Sequence, residues 1–120
     1  MKLPPEFVRT LTEHEAIDEG DVAIIEPERV WDVRTTFPLD GDTSHQLDEV
    51  YRRVGAVLPP HALAFATDWG GNFYCLMLAG PSAGQVVYWD HERHDGDHSV
   101  EPVAGSIGSF YGRLVRDPRE

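Results

Sequence analysis

The sequence has a single cysteine, a single lysine and no long apolar stretch. Cys75 cannot form a disulfide within the chain, which is typical of a protein from a reducing compartment. No stretch approaches the roughly 20 apolar residues of a membrane-spanning helix. The N-terminal Met-Lys-Leu-Pro-Pro-Glu also lacks the apolar core of a secretory signal. We therefore expect a soluble, cytoplasmic protein.

Basic residues are scarce in this chain. There are 10 Lys and Arg residues against 21 Asp and Glu residues, giving a net charge of −11. Binding to nucleic acids or anionic membranes requires clustered Lys and Arg side chains, so the balance argues against both. The partner should be neutral or basic, although acidity also simply keeps a small domain soluble. At 120 residues and 41% hydrophobic content, the chain can form one folded domain over residues 1–120.

Sequence motifs of enzymes are missing as well. The sequence contains no P-loop, no Gly-x-Gly-x-x-Gly and no Gly-x-Ser-x-Gly. With 21 acidic residues, a chance pair of carboxylates says little about acid–base catalysis. Cys75 stands between Tyr74 and Leu76 in an apolar stretch, where a cysteine behaves as a small buried hydrophobe. We expect no cofactor and no catalysis.

One polar segment offers an alternative. His91, His94 and His98 occur among four carboxylates, and imidazoles with carboxylates are ligands of catalytic zinc and iron. A metal-dependent hydrolase is therefore a rival hypothesis. Against it, the spacing is not that of the His-Glu-x-x-His helix, and a Gly-containing loop positions ligands poorly. We expect no native metal.

The densest apolar and aromatic content lies between Leu58 and Asp90. It predicts strands at Ala62–Ala66, Asn72–Leu78 and Gln85–Trp89. Glycine-containing turns separate these strands, and they are too short for a parallel crossover. The sequence therefore predicts an antiparallel meander.

The flanking segments predict short helices and further strands. A helix should begin at Leu3-Pro4-Pro5 and end near His14, and Val22–Ile25 should form a strand. Pro27 suits the first turn of a short helix carrying Val30, Trp31 and Arg34.

Further along the chain, Thr43 and Gln46 form a capping box for a helix over Leu47–Val54. Val100–Val103 predicts an edge strand because it contains Pro102. Ser106 should cap a closing helix in which four apolar side chains share a face. These are Ile107, Phe110, Tyr111 and Leu114. The fold class is then α+β: a single domain with an antiparallel, or else mixed, twisted sheet of about four to six strands flanked by short helices.

The turn between the first two strands of the meander has its own pattern. Gly70 and Gly71 are expected to provide positive φ or a close backbone approach, and Asp68 to accept backbone N–H groups. Trp69 could cover the core or serve as an interface anchor, and we favour core covering. Tyr88 and Trp89 alternate along a strand, so one should face the core and the other a sheet surface or groove.

Two strings of residues resemble a known family. Phe65-Ala66-Thr67-Asp68-Trp69-Gly70-Gly71-Asn72-Phe73-Tyr74-Cys75-Leu76 and Val86-Val87-Tyr88-Trp89-Asp90-His91-Glu92 are similar to the central signature of the SUKH superfamily, of the Smi/Knr cell-wall-regulator type. The opening Leu-Pro and the closing helix resemble the family more weakly, with Ile107 where a Phe is common. The resemblance implies a non-catalytic binding protein. Bacterial members act as immunity proteins against toxins that are often nucleases, and fungal members act as regulatory modules.

The resemblance and the acidity together predict a binding surface. We expect an acidic face to dock on a basic toxin, with Trp69 or Trp89 in the desolvated centre and Asp68 touching the partner only secondarily. The carboxylates of that face are Asp90, Glu92, Asp95, Asp97 and Glu101, joined by Asp18, Glu19 and Asp21. A regulatory scaffold that binds an endogenous partner is the alternative.

Overall fold

The computed structural model of the chain describes residues 3–14, 17–18, 20–37, 49, 52–53, 58–90 and 100–116. In chain order, its elements are α1 (Pro5–Glu13), β1 (Val22–Ile25), β2 (Val30–Val33), β3 (Thr35–Thr36), β4 (Ala62–Thr67), β5 (Phe73–Met77), β6 (Val86–Trp89), β7 (Glu101–Ala104), α2 (Ile107–Gly112) and β8 (Leu114–Arg116). Two antiparallel sheets result, a three-stranded one in the order β2-β1-β8 and a five-stranded one in the order β3-β4-β5-β6-β7. The α+β prediction is confirmed.

The five-stranded sheet contains the predicted meander. β4, β5 and β6 pair in sequence, with Ala64 opposite Cys75 and Cys75 opposite Val87. The strand bounds agree with the prediction to within one residue, because β-branched and aromatic runs end there at turn residues. In the turn between β5 and β6, Gly80 and Gly84 both adopt a φ near +85°, which glycine tolerates without steric cost.

Helices α1 and α2 pack on this sheet through aromatic side chains. Phe7 of α1 contacts Phe65 edge to face at a centroid distance of 5.8 Å, and Phe110 of α2 does the same at 5.3 Å. Each of the three rings is fully buried. Such pairs contribute about 0.5–1.5 kcal/mol beyond their area burial. The predicted opening helix is confirmed, with Pro5 in its first turn.

The predicted helix after Pro27 is wrong, because Val30–Val33 forms strand β2. Trp31 and Val33 are buried while the two residues alternating with them are half-buried. This period of two places Trp31 opposite Ile24 of β1 on the core side of the sheet. Pairing with β1 thus outweighs the helical spacing of Val30, Trp31 and Arg34.

At the C-terminal end, the capping prediction is confirmed and the extent of the closing helix is corrected. The Ser106 Oγ accepts the backbone N–H of Ser109 at 3.0 Å, and α2 ends at Gly112. Leu114 lies in β8 instead, opposite Ile24 of β1. The predicted strand containing Pro102 is confirmed as β7, at the edge of its sheet.

The predicted capping box, Thr43 with Gln46, lies outside the described residues. Within the predicted helix over Leu47–Val54, the residues that the structure describes are Glu49, Arg52 and Arg53, and all three are helical and exposed. In the described ranges, no helix is both long and apolar enough to span a bilayer.

Candidate functional site

One end of the five-stranded sheet brings together five of the predicted binding residues. β4 ends and β5 begins at the turn from Asp68 to Asn72, and the register sets Phe73 opposite Trp89 and Tyr88 opposite Glu101. The end of β6 and the start of β7 therefore lie beside this turn. The predicted residues placed here are Asp68, Trp69, Trp89, Asp90 and Glu101. Glu92, Asp95, Asp97 and Glu19 lie outside the described residues.

Asp68 organises the turn, as predicted. Its Oδ1 accepts the backbone N–H groups of Gly70 and Asn72 at 2.9 and 2.8 Å. Its Oδ2 accepts the Asn72 amide at 3.1 Å and the Tyr88 hydroxyl at 2.6 Å. The Asp68 side chain is buried, with 7% of the residue exposed. These donors compensate the cost of burying the carboxylate.

The two glycines of this turn serve the two roles predicted for them. Gly71 has a φ of 86°, a region that L-residues with a Cβ rarely adopt. A Cβ on Gly70 would lie 3.1 Å from the Asn72 amide nitrogen and 3.5 Å from the Asp68 Oδ1. A side chain at position 70 would therefore crowd the Asn72 amide, which would have to move by a few tenths of an ångström.

Trp69 does not cover the core, and that expectation is wrong. The residue is 52% exposed. Its backbone N–H donates to the Asp32 carboxylate at 3.0 Å, and its indole N–H donates to the Gly20 carbonyl at 3.3 Å. The Arg34 guanidinium lies 5.0 Å from the ring centroid. Trp69 is thus an exposed aromatic side chain held in place by the rest of the fold.

Tyr88 and Trp89 are both buried, at 8% and 5% exposure. The expectation that one of them faces a sheet surface or groove is therefore wrong. Trp89 stacks on Phe73 at 6.2 Å, while Tyr88 contacts Trp31 at 5.2 Å. Both faces of β6 are covered, so Trp69 has more surface to offer a partner than Trp89 does.

A cation–aromatic cluster lies beside this end of the sheet, and no sequence pattern predicted it. The Arg29 guanidinium lies 3.7 Å from the Trp31 ring centroid and 5.3 Å from that of Tyr88. Its other partner is the Glu101 carboxylate, to which it donates a hydrogen bond. Glu101 is therefore engaged within the fold while its side chain remains 39% exposed. The sequence predicts a helix at Arg29, in the segment that begins at Pro27. These contacts depend instead on the strand that follows Arg29, so they could not be predicted.

Carboxylates shape the electrostatics around the two tyrosines. Burial raises the pKa of Tyr88, and the hydrogen bond to Asp68 and the charges of Asp68 and Asp90 raise it further. Burial likewise raises the pKa of Tyr74, with smaller contributions from Asp32 and Asp68. Both phenols therefore stay protonated at neutral pH. They act as hydrogen-bond donors and do not supply a base.

The structure also bears on the reactivity of Cys75 and on metal binding. Cys75 is fully buried, and burial alone raises the pKa of its thiol to about 12. The predicted core role of Cys75 is confirmed. Within the part of the chain that the structure describes, no group of three or more His, Cys, Asp or Glu side chains could hold a metal ion. His91, His94 and His98 lie outside that part.

The model of the SMI1 / KNR4 family (SUKH-1) matches residues 1–113. The chain belongs to this family. A comparison with curated proteins found no match. This assignment agrees with the resemblance noted in the sequence. The two segments that carry the resemblance, the Asp68–Asn72 turn and the Tyr88-Trp89-Asp90 string, meet at one end of the sheet in this SUKH-1 chain.

Proposed function

We propose that this SUKH-1 protein is a non-catalytic, cytoplasmic immunity protein that binds and neutralises a cognate toxin with a basic surface, such as a nuclease. The observation that carries the proposal is the exposed Trp69, fixed at the end of the sheet where Asp90 and Glu101 also lie. Family membership and the net charge of −11 support it.

Charged and aromatic side chains contribute differently to binding. Acidic side chains attract a basic partner over a distance and accelerate association. A large aromatic side chain buried at the centre of the interface then slows dissociation. Trp69 is suited to this because both of its N–H groups already have acceptors in the fold. Burying its ring therefore leaves no donor of its own unsatisfied.

The proposed function predicts that a toxin is encoded beside the gene for this chain, and it is tested by co-expression of the two. We expect the chain to protect cells from that toxin and to form a complex with the purified, catalytically inactivated toxin domain. A chain that neither protects nor binds refutes the proposed function. Elemental analysis before and after chelation tests the hydrolase hypothesis, and we expect no stoichiometric metal.

The acidic surface is tested by charge reversal at three positions. Replacement of Asp90, Glu92 and Asp97 by Lys should lower the association rate and weaken its salt dependence. The matched control reverses Glu6, Glu13 and Glu49, which are exposed acidic residues on or near other elements. Both variants change the net charge equally. If the two slow association equally, or if neither does, this acidic surface is not the docking site.

A further inference from the structure

Strand register places exposed apolar side chains on the outer face of the three-stranded sheet. Ala23 of β1 lies opposite Asp32 of β2 and opposite Val115 of β8. Paired residues in antiparallel strands project from the same face, and so do residues two apart on one strand. Ile25 therefore projects from the same face as Val115. Ile25 is 43% exposed and Val115 is 49% exposed.

The burial pattern confirms that this face is distinct from the core. Ile24, Trp31 and Val33 belong to the core cluster and project from the opposite face. Ala23 is fully buried and yet is not part of that cluster. Its burial is therefore local, among the side chains of the outer face.

Trp69 extends this face towards the end of the five-stranded sheet. Its backbone N–H bonds the carboxylate of Asp32, which occupies the same row as Ala23 and Val115. Adjacent strands are about 5 Å apart, and residues two apart on a strand are about 7 Å apart. Ile25, Trp69 and Val115 thus lie within the reach of a single protein partner. We name these three residues the outer apolar patch.

We propose that the outer apolar patch is the desolvated centre of the interface with the basic toxin, an inference that rests on the proposed function. Two carboxylates lie beside the patch: Asp32, which accepts the Trp69 backbone N–H, and Asp21, which pairs with Arg116 next to Val115. An apolar centre with a charged rim is the usual arrangement of a specific interface. The sheet face then determines how long the complex lasts, while the acidic end determines how fast it forms.

Charge decides between a basic partner and a second copy of the chain as the occupant. Two copies would each carry a net charge of −11, so their association is opposed by repulsion at low salt. A basic surface is instead attracted by the net negative charge of the chain. Asp21 contributes to that charge at the edge of the patch, where its side chain is 46% exposed and pairs with Arg116 at 3.5 Å. The patch therefore fits a cationic protein better than a homodimer.

The test replaces Ile25 and Val115 together by Thr, which keeps β-branching and removes apolar surface. Exposed substitutions of this kind change folding stability by only about 0.5 kcal/mol, which urea unfolding verifies. The matched control is Leu78→Thr. Leu78 is 42% exposed and follows β5 at the opposite end of the five-stranded sheet. The single variants Ile25→Thr and Val115→Thr replace the double variant if it fails to fold.

The probe is the inactivated toxin domain used to test the proposed function. We expect the double variant to dissociate about tenfold faster with a nearly unchanged association rate, and Leu78→Thr to match the parent protein. If the parent binds and the double variant dissociates no faster, this inference fails and the proposed function stands. If the parent does not bind, both fail. Sedimentation showing a dimer that the double variant dissolves also overturns the inference, because the occupant is then a second copy.

Discussion

At the scale of single residues, the buried Asp68 carboxylate accepts four hydrogen bonds. Two backbone N–H groups, the Asn72 amide and the Tyr88 hydroxyl converge on its two oxygens. The sequence predicted that Asp68 fixes the turn, since an Asx side chain commonly bonds the backbone two residues on. The contact with Tyr88 spans 20 positions and depends on strand pairing that local sequence does not specify.

We expect Asp68→Ala to destabilise the protein by about 2–4 kcal/mol, because the substitution leaves buried donors without an acceptor. Urea unfolding measures the loss. Asp18→Ala is the control, since Asp18 is exposed and its replacement should change stability by less than about 0.5 kcal/mol. A loss below about 1 kcal/mol for Asp68→Ala would mean that the turn holds its shape without the carboxylate.

Cys75 gives a second prediction at this scale. Its thiol is buried, and burial raises its pKa from 9.0 to about 12. At pH 8 we expect a thiol reagent such as Ellman's reagent to label the folded protein about a hundredfold or more slowly than the protein in urea, because the thiolate is the reacting form. Comparable rates in the two states would show that Cys75 is accessible.

The same shift predicts how stability depends on pH. Between about pH 9 and about pH 12 the unfolded thiol has lost its proton while the folded thiol retains it. The folded state then binds more protons, so stability falls as pH rises through this window and is unaffected by Cys75 below it. Urea unfolding across the window should show a shallower decline for Cys75→Ala. If stability declines equally steeply in Cys75→Ala, the loss comes from other buried groups, such as Tyr111, whose pKa is also raised by burial.

At the scale of elements, the sequence predicted best where local signals agree with the sheet. β4, β5 and β6 combine β-branched or aromatic residues with glycine-containing turns, so pattern and structure coincide. Strand β2 was not predicted because Pro27 is typical of a helix start. The alternating burial of β2 depends on its pairing with β1, which the local sequence does not show. Trp69 was misplaced because a turn residue has no periodicity that distinguishes inside from outside.

The cap of α2 provides the prediction for an element. This helix has six residues, too few to be stable without packing and capping. Ser106→Ala removes the acceptor of the Ser109 N–H and should cost about 0.5–2 kcal/mol in urea unfolding. Ser106→Asp should restore most of the stability, because Asp is also a favourable cap. Ser109→Ala, an exposed control, should be nearly neutral. If Ser106→Asp is as unstable as Ser106→Ala, capping is not the cause.

At the scale of the whole molecule, the sequence predicted the α+β class but not the division into two sheets. β8 follows α2 closely and returns to pair with β1, an association between residues about ninety positions apart. Local pattern cannot specify such a pairing, and Leu114 fits a helical face equally well. This long-range pairing creates the outer face of the three-stranded sheet. The outer apolar patch was therefore invisible in the sequence, although Trp69 was recognised as a candidate.

The net charge of −11 gives a prediction for the entire fold. Salt weakens the general repulsion among the carboxylates, which favours folding. Salt also weakens the favourable ion pairs, which among the described residues include Arg113–Glu26 at 3.6 Å and Arg116–Asp21 at 3.5 Å. These pairs are substantially exposed, and such pairs contribute little, so relief of the repulsion should dominate. We expect added NaCl at pH 7.5 to raise the stability in urea by about 1 kcal/mol. Near the isoelectric point of about 4.8, where the repulsion vanishes, the same salt should have little effect. A loss of stability with salt at pH 7.5 would show that the ion pairs contribute more than the excess negative charge costs.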